Sequence, residues 1–275
     1  ELADLTIDVL PDGAGFDANG HRFGIDRQHL LVPGHVDDDR VFLRKDPTVA
    51  AGGPTARHQF DALTLRELRE LHDLGLVERA HYRAGNAELK PGQLCLIDAG
   101  CELEGYASDI TRTFPVNGKF TGPQRDVYQA VLNAQLACMD VLKPGNPFNE
   151  YHEVAIRVLS QGMLDLGLLK GSLDQVIEEK TYMRFYMHRA GHWIGMDVHD
   201  AGDYRKKGVW QTLQPGMMIT NEPGLYIRPD AAVPEHFWNI GVRIEDDVLI
   251  TAAGNENLTI TAPKTVAEVE AACAR

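Results

Sequence analysis

The chain has 275 residues, is 44% hydrophobic and 24% charged, and carries a formal net charge of -13. That is the composition of a soluble globular protein, long enough to bury a sizeable core as one large domain or two unequal ones. An acidic surface repels nucleic acid and anionic lipid, and no apolar run approaches the ~20 residues of a membrane helix, so neither partner is expected.

The opening ELADLTIDVLPDG has no basic region followed by an apolar stretch, so no signal peptide is expected. It also lacks an initiator Met, which suggests a processed chain or a fragment. Residues 1–80 are rich in Gly, Pro and Asp around short apolar pieces such as LTIDVL and HLLVPG, and are taken as an atypical N-terminal segment. Leu65, Leu68 and Leu71 with charges between them predict one amphipathic helix, stopped near Gly75. Gly13 and Gly15 sketch a dinucleotide-binding loop. That fingerprint needs a helix next, and Asn19-Gly20 with no helical period follows instead, so the reading is rejected.

From His81 to the end the pattern is stronger. QLCLIDAG predicts a strand and YASDITRTFP its partner. Thr121, Gly122 and Pro123 open a helix with Val127, Val131, Ala134, Cys138 and Val141 on one face, and Lys143-Pro144-Gly145 stops it. A second helix is predicted near NEYHEVAIRVLSQGMLDLG. Then come the glycine-rich HRAGHWIGMDVHDAG, the strand MMITNEPGLYI, a loop with Pro229 and Pro234, and the strand NIGVRIEDDVLIT. The order predicts an α+β fold, antiparallel strands covered on one side by helices. Among the four cysteines no C-x-x-C pair occurs, and Cys95 and Cys138 sit in apolar contexts, so core thiols and a reducing, cytoplasmic location are expected. Asn257-Leu258-Thr259 matches a glycosylation acceptor only by chance on this reading.

Two acids, Asp98 and Asp109, lie on the first strand pair among residues that would otherwise be core. A hairpin centred between Leu103 and Glu104 would set them opposite each other, with Cβ atoms ~5 Å apart. Two buried carboxylates that close repel, and a cation between them removes the problem. Glu222 and Glu245 repeat the arrangement about a centre at Val233-Pro234, and His192 lies between the two pairs in sequence. Four carboxylates and one imidazole suit two divalent ions ~3.5–4 Å apart, and the donor set favours Mn²⁺, Co²⁺ or Zn²⁺ over Ca²⁺. Plainer readings compete. Asp98 could end a strand, Asp109 could cap or pair with Arg112, Glu222 could be a loop acid, and Glu245-Asp246-Asp247 a solvated charge run. His188 and His192 are spaced like a zincin pair, but Arg189 replaces the Glu and Gly191 weakens a helix. No G-x-S-x-G supports a serine hydrolase.

IDAGCELEGYASDITRTFPVNGKF, HRAGHWIGMDVHDAG, NEPGLYI and GVRIEDDVLIT together resemble the Xaa-Pro aminopeptidase (aminopeptidase P) group of the pita-bread metallopeptidases. Prolidase, methionine aminopeptidase and creatinase share that superfamily. The resemblance runs from about His81 to Thr259 and implies a pita-bread-like catalytic domain over 81–275, with the N-terminal half atypical or shortened. It implies that Asp98, Asp109, His192, Glu222 and Glu245 bind two divalent ions, Mn²⁺ first and Zn²⁺ or Co²⁺ as alternatives. A hydroxide bridging them would cleave the bond before a proline in the second position of a peptide. Glu222 would also move the nucleophile's proton, His199 would stabilise the tetrahedral intermediate, and His81 would contact the substrate near the scissile bond. His188 and Arg243 match substrate-pocket positions, with Trp193 and Tyr226 as apolar walls. Family likeness also suggests homo-oligomers. Where the family would place an apolar residue on a core strand, this chain has Asn221. Two alternatives stay open: a non-catalytic binding or assembly relative, because residues 1–80 are atypical, and a prolidase confined to Xaa-Pro dipeptides.

Overall fold

The computed structural model describes residues 89–103 and 105–274, together with the backbone of four short strands upstream. Those strands are β1 (Asp8–Val9), β2 (Ala14–Phe16), β3 (Arg22–Asp26) and β4 (Val41–Lys45). They pair antiparallel in succession, so Gly15 of the rejected dinucleotide loop lies in a strand. The helix expected near Leu65–Leu71 and the domain boundary at His81 lie outside the described residues.

The strand β5 (Leu94–Leu103) is the spine of the first sheet. It runs parallel to β4 and antiparallel to β6 (Tyr106–Ala107) and β7 (Ile110–Pro115). The β4–β5 ladder is the one parallel pair among the described residues, a departure from the all-antiparallel expectation. The hairpin between β5 and β6 turns at Gly105, whose φ of 85° is a left-handed conformation that favours glycine.

Two helices follow as expected. Helix α1 (Gly122–Val141) starts from a capping box, with Thr121 and Gln124 bonding each other's backbone N–H and Pro123 in the first turn. Its Val127, Val131, Ala134 and Cys138 are buried, joined by Tyr128 and Leu132. Burial pushes the Cys95 and Cys138 thiols up to about 12, consistent with core residues rather than reactive ones. Helix α2 (Glu150–Asp165) packs along α1, and a short α3 (Leu173–Glu178) follows it. Beyond a small hairpin of β8 (Arg205–Lys206) and β9 (Val209–Trp210), the two long predicted strands each appear in two pieces. MMITNEPGLYI becomes β10 (Met218–Asn221) and β11 (Gly224–Ile227). NIGVRIEDDVLIT becomes β12 (Ile240–Arg243) and β13 (Asp246–Thr251). β10 pairs β13 and β11 pairs β12 in one shared register, interrupted where Pro223 has no N–H to donate. Strand β14 (Gly254–Asn257) completes the β10–β13 sheet, and α4 (Val266–Cys273) closes the described chain.

A buried polar node joins these layers. Asn221 and Asp246 are cross-strand partners, and Gln135 of α1 ties both: its carbonyl accepts from Asn221 Nδ2 (2.9 Å) and its amide donates to Asp246 Oδ2 (2.7 Å). Asp246 also accepts from Arg112 (2.7 Å), Lys264 (2.6 Å), Asn257 (2.7 Å) and Thr259 (2.9 Å). Burial pushes its carboxyl up, but the Arg112 and Lys264 charges outweigh that and hold it down at about 2. Asp246 is therefore an anchor and not part of a solvated charge run. Arg112 pairs with it, not with Asp109. Replacing Asp246 by Asn should leave two cations undercompensated and lower stability by about 3–5 kcal/mol in denaturant unfolding at neutral pH. A loss below about 1 kcal/mol would show the node to be dispensable.

Candidate metal centre

The first two acids come from the β5–β7 hairpin. Asp98 lies on β5 and its register partner is Thr111, not Asp109. The expected pairing is therefore off by two residues, because Leu103 pairs with Tyr106 and the chain turns with Gly105 as its left-handed residue. A shift of two preserves the face, since side chains alternate with period two. Asp109 thus sits diagonally from Asp98 on the same side of the sheet. Asp247 holds its backbone: Asp109 N–H donates to Asp247 Oδ2 at 3.0 Å.

The second pair comes from the interrupted ladder. The register that sets Asn221 opposite Asp246 and Gly224 opposite Arg243 also sets Glu222 opposite Glu245, as the spacing predicted. Ile244 N–H reaches Pro223 O across the break at 3.4 Å. The segment carrying His192 lies along the other edge of β10. Glu222 N–H donates to Ala190 O (2.8 Å), Thr220 N–H to His192 O (3.0 Å), and Ile194 N–H to Met218 O (3.2 Å). Gly191 makes that approach possible: it has φ 153°, and a Cβ there would fall 2.1 Å from Thr220 O.

All five expected ligands are buried: Asp98 1%, Asp109 1%, His192 9%, Glu222 5% and Glu245 0% exposed. His192 Nε2 lies 3.4 Å from Asp109 Oδ2 and 3.3 Å from Glu222 Oε1. Ligand atoms of Asp109, His192 and Glu245 all fall within 4.8 Å of one another. Asp98 is tied in by Arg243, which donates to it through Nη2 and places Nε 3.9 Å from both Glu222 and Glu245. Thr111 Oγ1 donates to Glu245, and Thr220 Oγ1 to Glu222 (3.1 Å).

The His192 tautomer decides what this cluster can hold. Its Nδ1 is 2.8 Å from Trp193 O, and a carbonyl only accepts, so Nδ1 carries the proton. In a neutral ring Nε2 then presents its lone pair to two carboxylates, which is repulsive unless a cation lies between them. An N–H···O=C contact behind a coordinating imidazole is the usual orientation of a metal ligand. Four carboxylates against one guanidinium also leave three negative charges among these buried side chains. The donors present fit a divalent metal.

The remaining expected residues surround the cluster. The His199 ring stands edge-on to His192, centroids 4.3 Å apart. His188 donates from Nδ1 to Arg189 O (2.7 Å), so its Nε2 accepts from Tyr226 OH (2.9 Å), whose oxygen accepts from Arg243 Nη1 (3.2 Å). Burial raises the Tyr226 phenol, keeping it a donor. Trp193 is taken up by Phe148 (4.4 Å) and Tyr204 (5.7 Å, stacked). His81 lies outside the described residues. Asp247, Thr111 and Thr220 escaped the sequence reading. For the threonines the available signal was their even spacing from Asp109 and Glu222, which puts them on the same faces.

A model of metallopeptidase family M24 matches residues 55–252, a span that includes all five of these side chains. The chain belongs to metallopeptidase family M24. It is 52% identical to the Xaa-Pro aminopeptidase of Haemophilus influenzae over 69% of this chain and 44% of that one. A solved aminopeptidase PepP from Pseudomonas aeruginosa superposes with TM-score 0.69 and 55% identity, covering 70% of this chain and 44% of that one. Proline aminopeptidase P II from Yersinia pestis gives 0.68 and 47%, covering 76% and 51%. The fold is thus the pita-bread type these neighbours share. The M24 chain spans about half the length of the relatives it matches.

Asp109→Asn removes one charge and one donor from the cluster. Divalent-metal affinity should fall at least ~10-fold, because coordination depends on the charged oxygen. Titration calorimetry with Mn²⁺ checks this, and unchanged affinity would remove Asp109 from the ligand set.

Proposed function

We propose that this M24 chain is a metal-dependent aminopeptidase that cleaves the bond between an N-terminal residue and a following proline. The observation that carries the metal part is His192 Nε2 facing the Asp109 and Glu222 carboxylates, with Glu245 beside them. The substrate part rests on relatives named Xaa-Pro aminopeptidase at up to 52% identity. Asp98, Asp109, His192, Glu222 and Glu245 would hold two divalent ions, Mn²⁺ first. Once bound, such ions lower the pKa of water and offset negative charge on a carbonyl oxygen.

The residues of the chain supply the rest. Glu222 is oriented by Thr220 and lies near Arg243, so its carboxylate can take a proton from the attacking water and return it to the departing proline nitrogen. His199, whose ring stands beside that of His192, would donate to the carbonyl oxygen as charge develops there. The chain from Arg243 through Tyr226 orients the His188 ring, which would border the substrate. A proline nitrogen in the peptide carries no N–H, so recognition must rest on ring shape. Cys95 and Cys138, buried among apolar side chains, are in keeping with a reducing, cytoplasmic location. No described helix is long and apolar enough to cross a membrane.

Because the chain spans under half of two curated relatives it matches, a second reading has an observation behind it: metal binding without turnover. Hydrolysis of an Xaa-Pro-Xaa tripeptide with Mn²⁺ separates the two. Turnover is expected, and Glu222→Gln should lower kcat by roughly 10²–10⁴-fold. Metal uptake with no turnover would favour the binding protein, and turnover of dipeptides alone would make the chain a prolidase. His199→Ala should lower kcat while metal affinity stays within about threefold, since it is placed beside the ligands and not among them. Parallel loss of metal would contradict that placement. Chelation should lower the melting temperature, because the bound metal stabilises the folded state by mass action. An unchanged transition after verified metal removal would argue against a buried site.

A further inference from the structure

The segment 188–194 carries His188 and His192, and it is gripped from two sides. On one side it is laced to β10 by the three backbone bonds described above, with Gly191 pressed against Thr220. On the other side it rests on the first turn of α2. There Asn149 Oδ1 accepts from Arg189 Nη2 (2.6 Å), and His152 Nδ1 accepts from the Ala190 N–H (3.2 Å). Asn149 and His152 are three residues apart, so they share one face of the helix. Ala190 is wholly buried, and its carbonyl accepts the Glu222 N–H. One residue, through the N–H of one peptide unit and the C=O of the next, thus links the His152 ring to the backbone of Glu222.

The contact constrains the His152 ring. An N–H only donates, so Nδ1 must keep its lone pair and any ring proton sits on Nε2. Burial, followed by the nearby Arg189 and His188 charges, pushes the imidazole down to about 4, so the acceptor survives at neutral pH. Tyr186 OH, 3.5 Å from the same Nδ1, borders the ring, with centroids 6.0 Å apart. A ring kept neutral in this way carries no charge at neutral pH. Its shorter directional contact, 3.2 Å against 3.5 Å for Tyr186 OH, is with the backbone immediately before Gly191-His192.

We propose that His152 is a positioning residue: through Ala190 it sets the seat of His192 against Glu222 and so tunes the metal site. The inference rests on the metal reading above and assigns a role to a side chain outside the ligand set. A seat that shifts by about 0.5 Å is enough to degrade a coordination sphere. Residues that orient ligands without touching metal typically change affinity by 10–100-fold.

The test uses two variants of the whole chain. His152→Asn keeps an acceptor oxygen close to the place of Nδ1, and His152→Leu fills the volume without one. Mn²⁺ affinity is measured by titration calorimetry, and the melting temperature of the metal-free protein is measured beside it. His152→Leu should bind Mn²⁺ roughly 10–100-fold more weakly. His152→Asn should stay within about threefold of the parent, and the two metal-free variants should melt together. Parental affinity in His152→Leu overturns the proposal. So does equal loss in both variants, which would show that the ring's volume matters and its acceptor does not. If His152→Leu fails to fold, His152→Asn decides alone: parental affinity supports the proposal and a 10-fold loss overturns it. A parent chain that takes up no Mn²⁺ overturns the metal reading itself, and this proposal with it.

Discussion

Everything in this structure is arranged around a concentration of negative charge that water would otherwise solvate. Asp98, Asp109, Glu222 and Glu245 are each at least 95% buried, with Asp247 directly behind. Ionised carboxylates in such a place repel one another and lose hydration, and hydrophobic burial nearby does nothing to offset either cost. Only positive charge does. Arg243 supplies one unit and reaches three of the four acids, and two divalent ions would more than offset the remaining three. The donors that orient the acids, Thr111 and Thr220, are hydroxyls that hold geometry without settling the charge.

The fold places two of these acids, Glu222 and Glu245, where a ladder is interrupted, while Asp98 sits within an unbroken one. Pro223 breaks the β10–β11 edge, and the partner strand breaks opposite it between Arg243 and Asp246. The two glutamates occupy the gap, so the sheet's register determines their separation while their backbones escape full pairing. The second node, around Asp246, makes that gap rigid. Arg112 bonds both the Asp246 carboxylate and the Glu245 carbonyl, so one side chain from β7 fixes the register of two strands and the ligand between them. Two neighbouring acids, Glu245 and Asp246, thus point to opposite faces and do opposite work. One contributes to an excess of charge, and the other is fully compensated.

How much of this was legible in the sequence follows from the same geometry. The Glu222–Glu245 pairing was, because a proline and a loop bracket two alternating strands and symmetry about the loop fixes the register. The Asp98–Asp109 register was missed by two residues because Gly105, the residue able to take a left-handed turn, was left off the hairpin's centre. The error cost nothing at the site, since a shift of two keeps the face. Asp246 and Asp247 looked like solvated charge because burial there comes from Arg112, Lys264 and Gln135, all distant in sequence. Asn221 looked out of place on a core strand for a related reason: its partner is the carbonyl of Gln135, 86 positions away. The His152–Ala190 contact spans 38 positions and leaves no periodic trace.

The described ligands also show how local the site is. From Leu94 to Lys264 the chain contains both ladders, the two long helices, the five candidate ligands and the node that braces them. Each ligand has partners inside that span: Asp98 has Arg243, Asp109 has Asp247, Glu222 has Thr220 and Ala190, Glu245 has Thr111 and Arg112, and His192 has Trp193 and Thr220. Metal affinity depends mainly on such short-range orientation, whereas peptide recognition depends on walls that can come from anywhere along a chain. The two properties are therefore separable here in physical terms. A chain spanning about half of its relatives' length can carry a complete set of oriented donors.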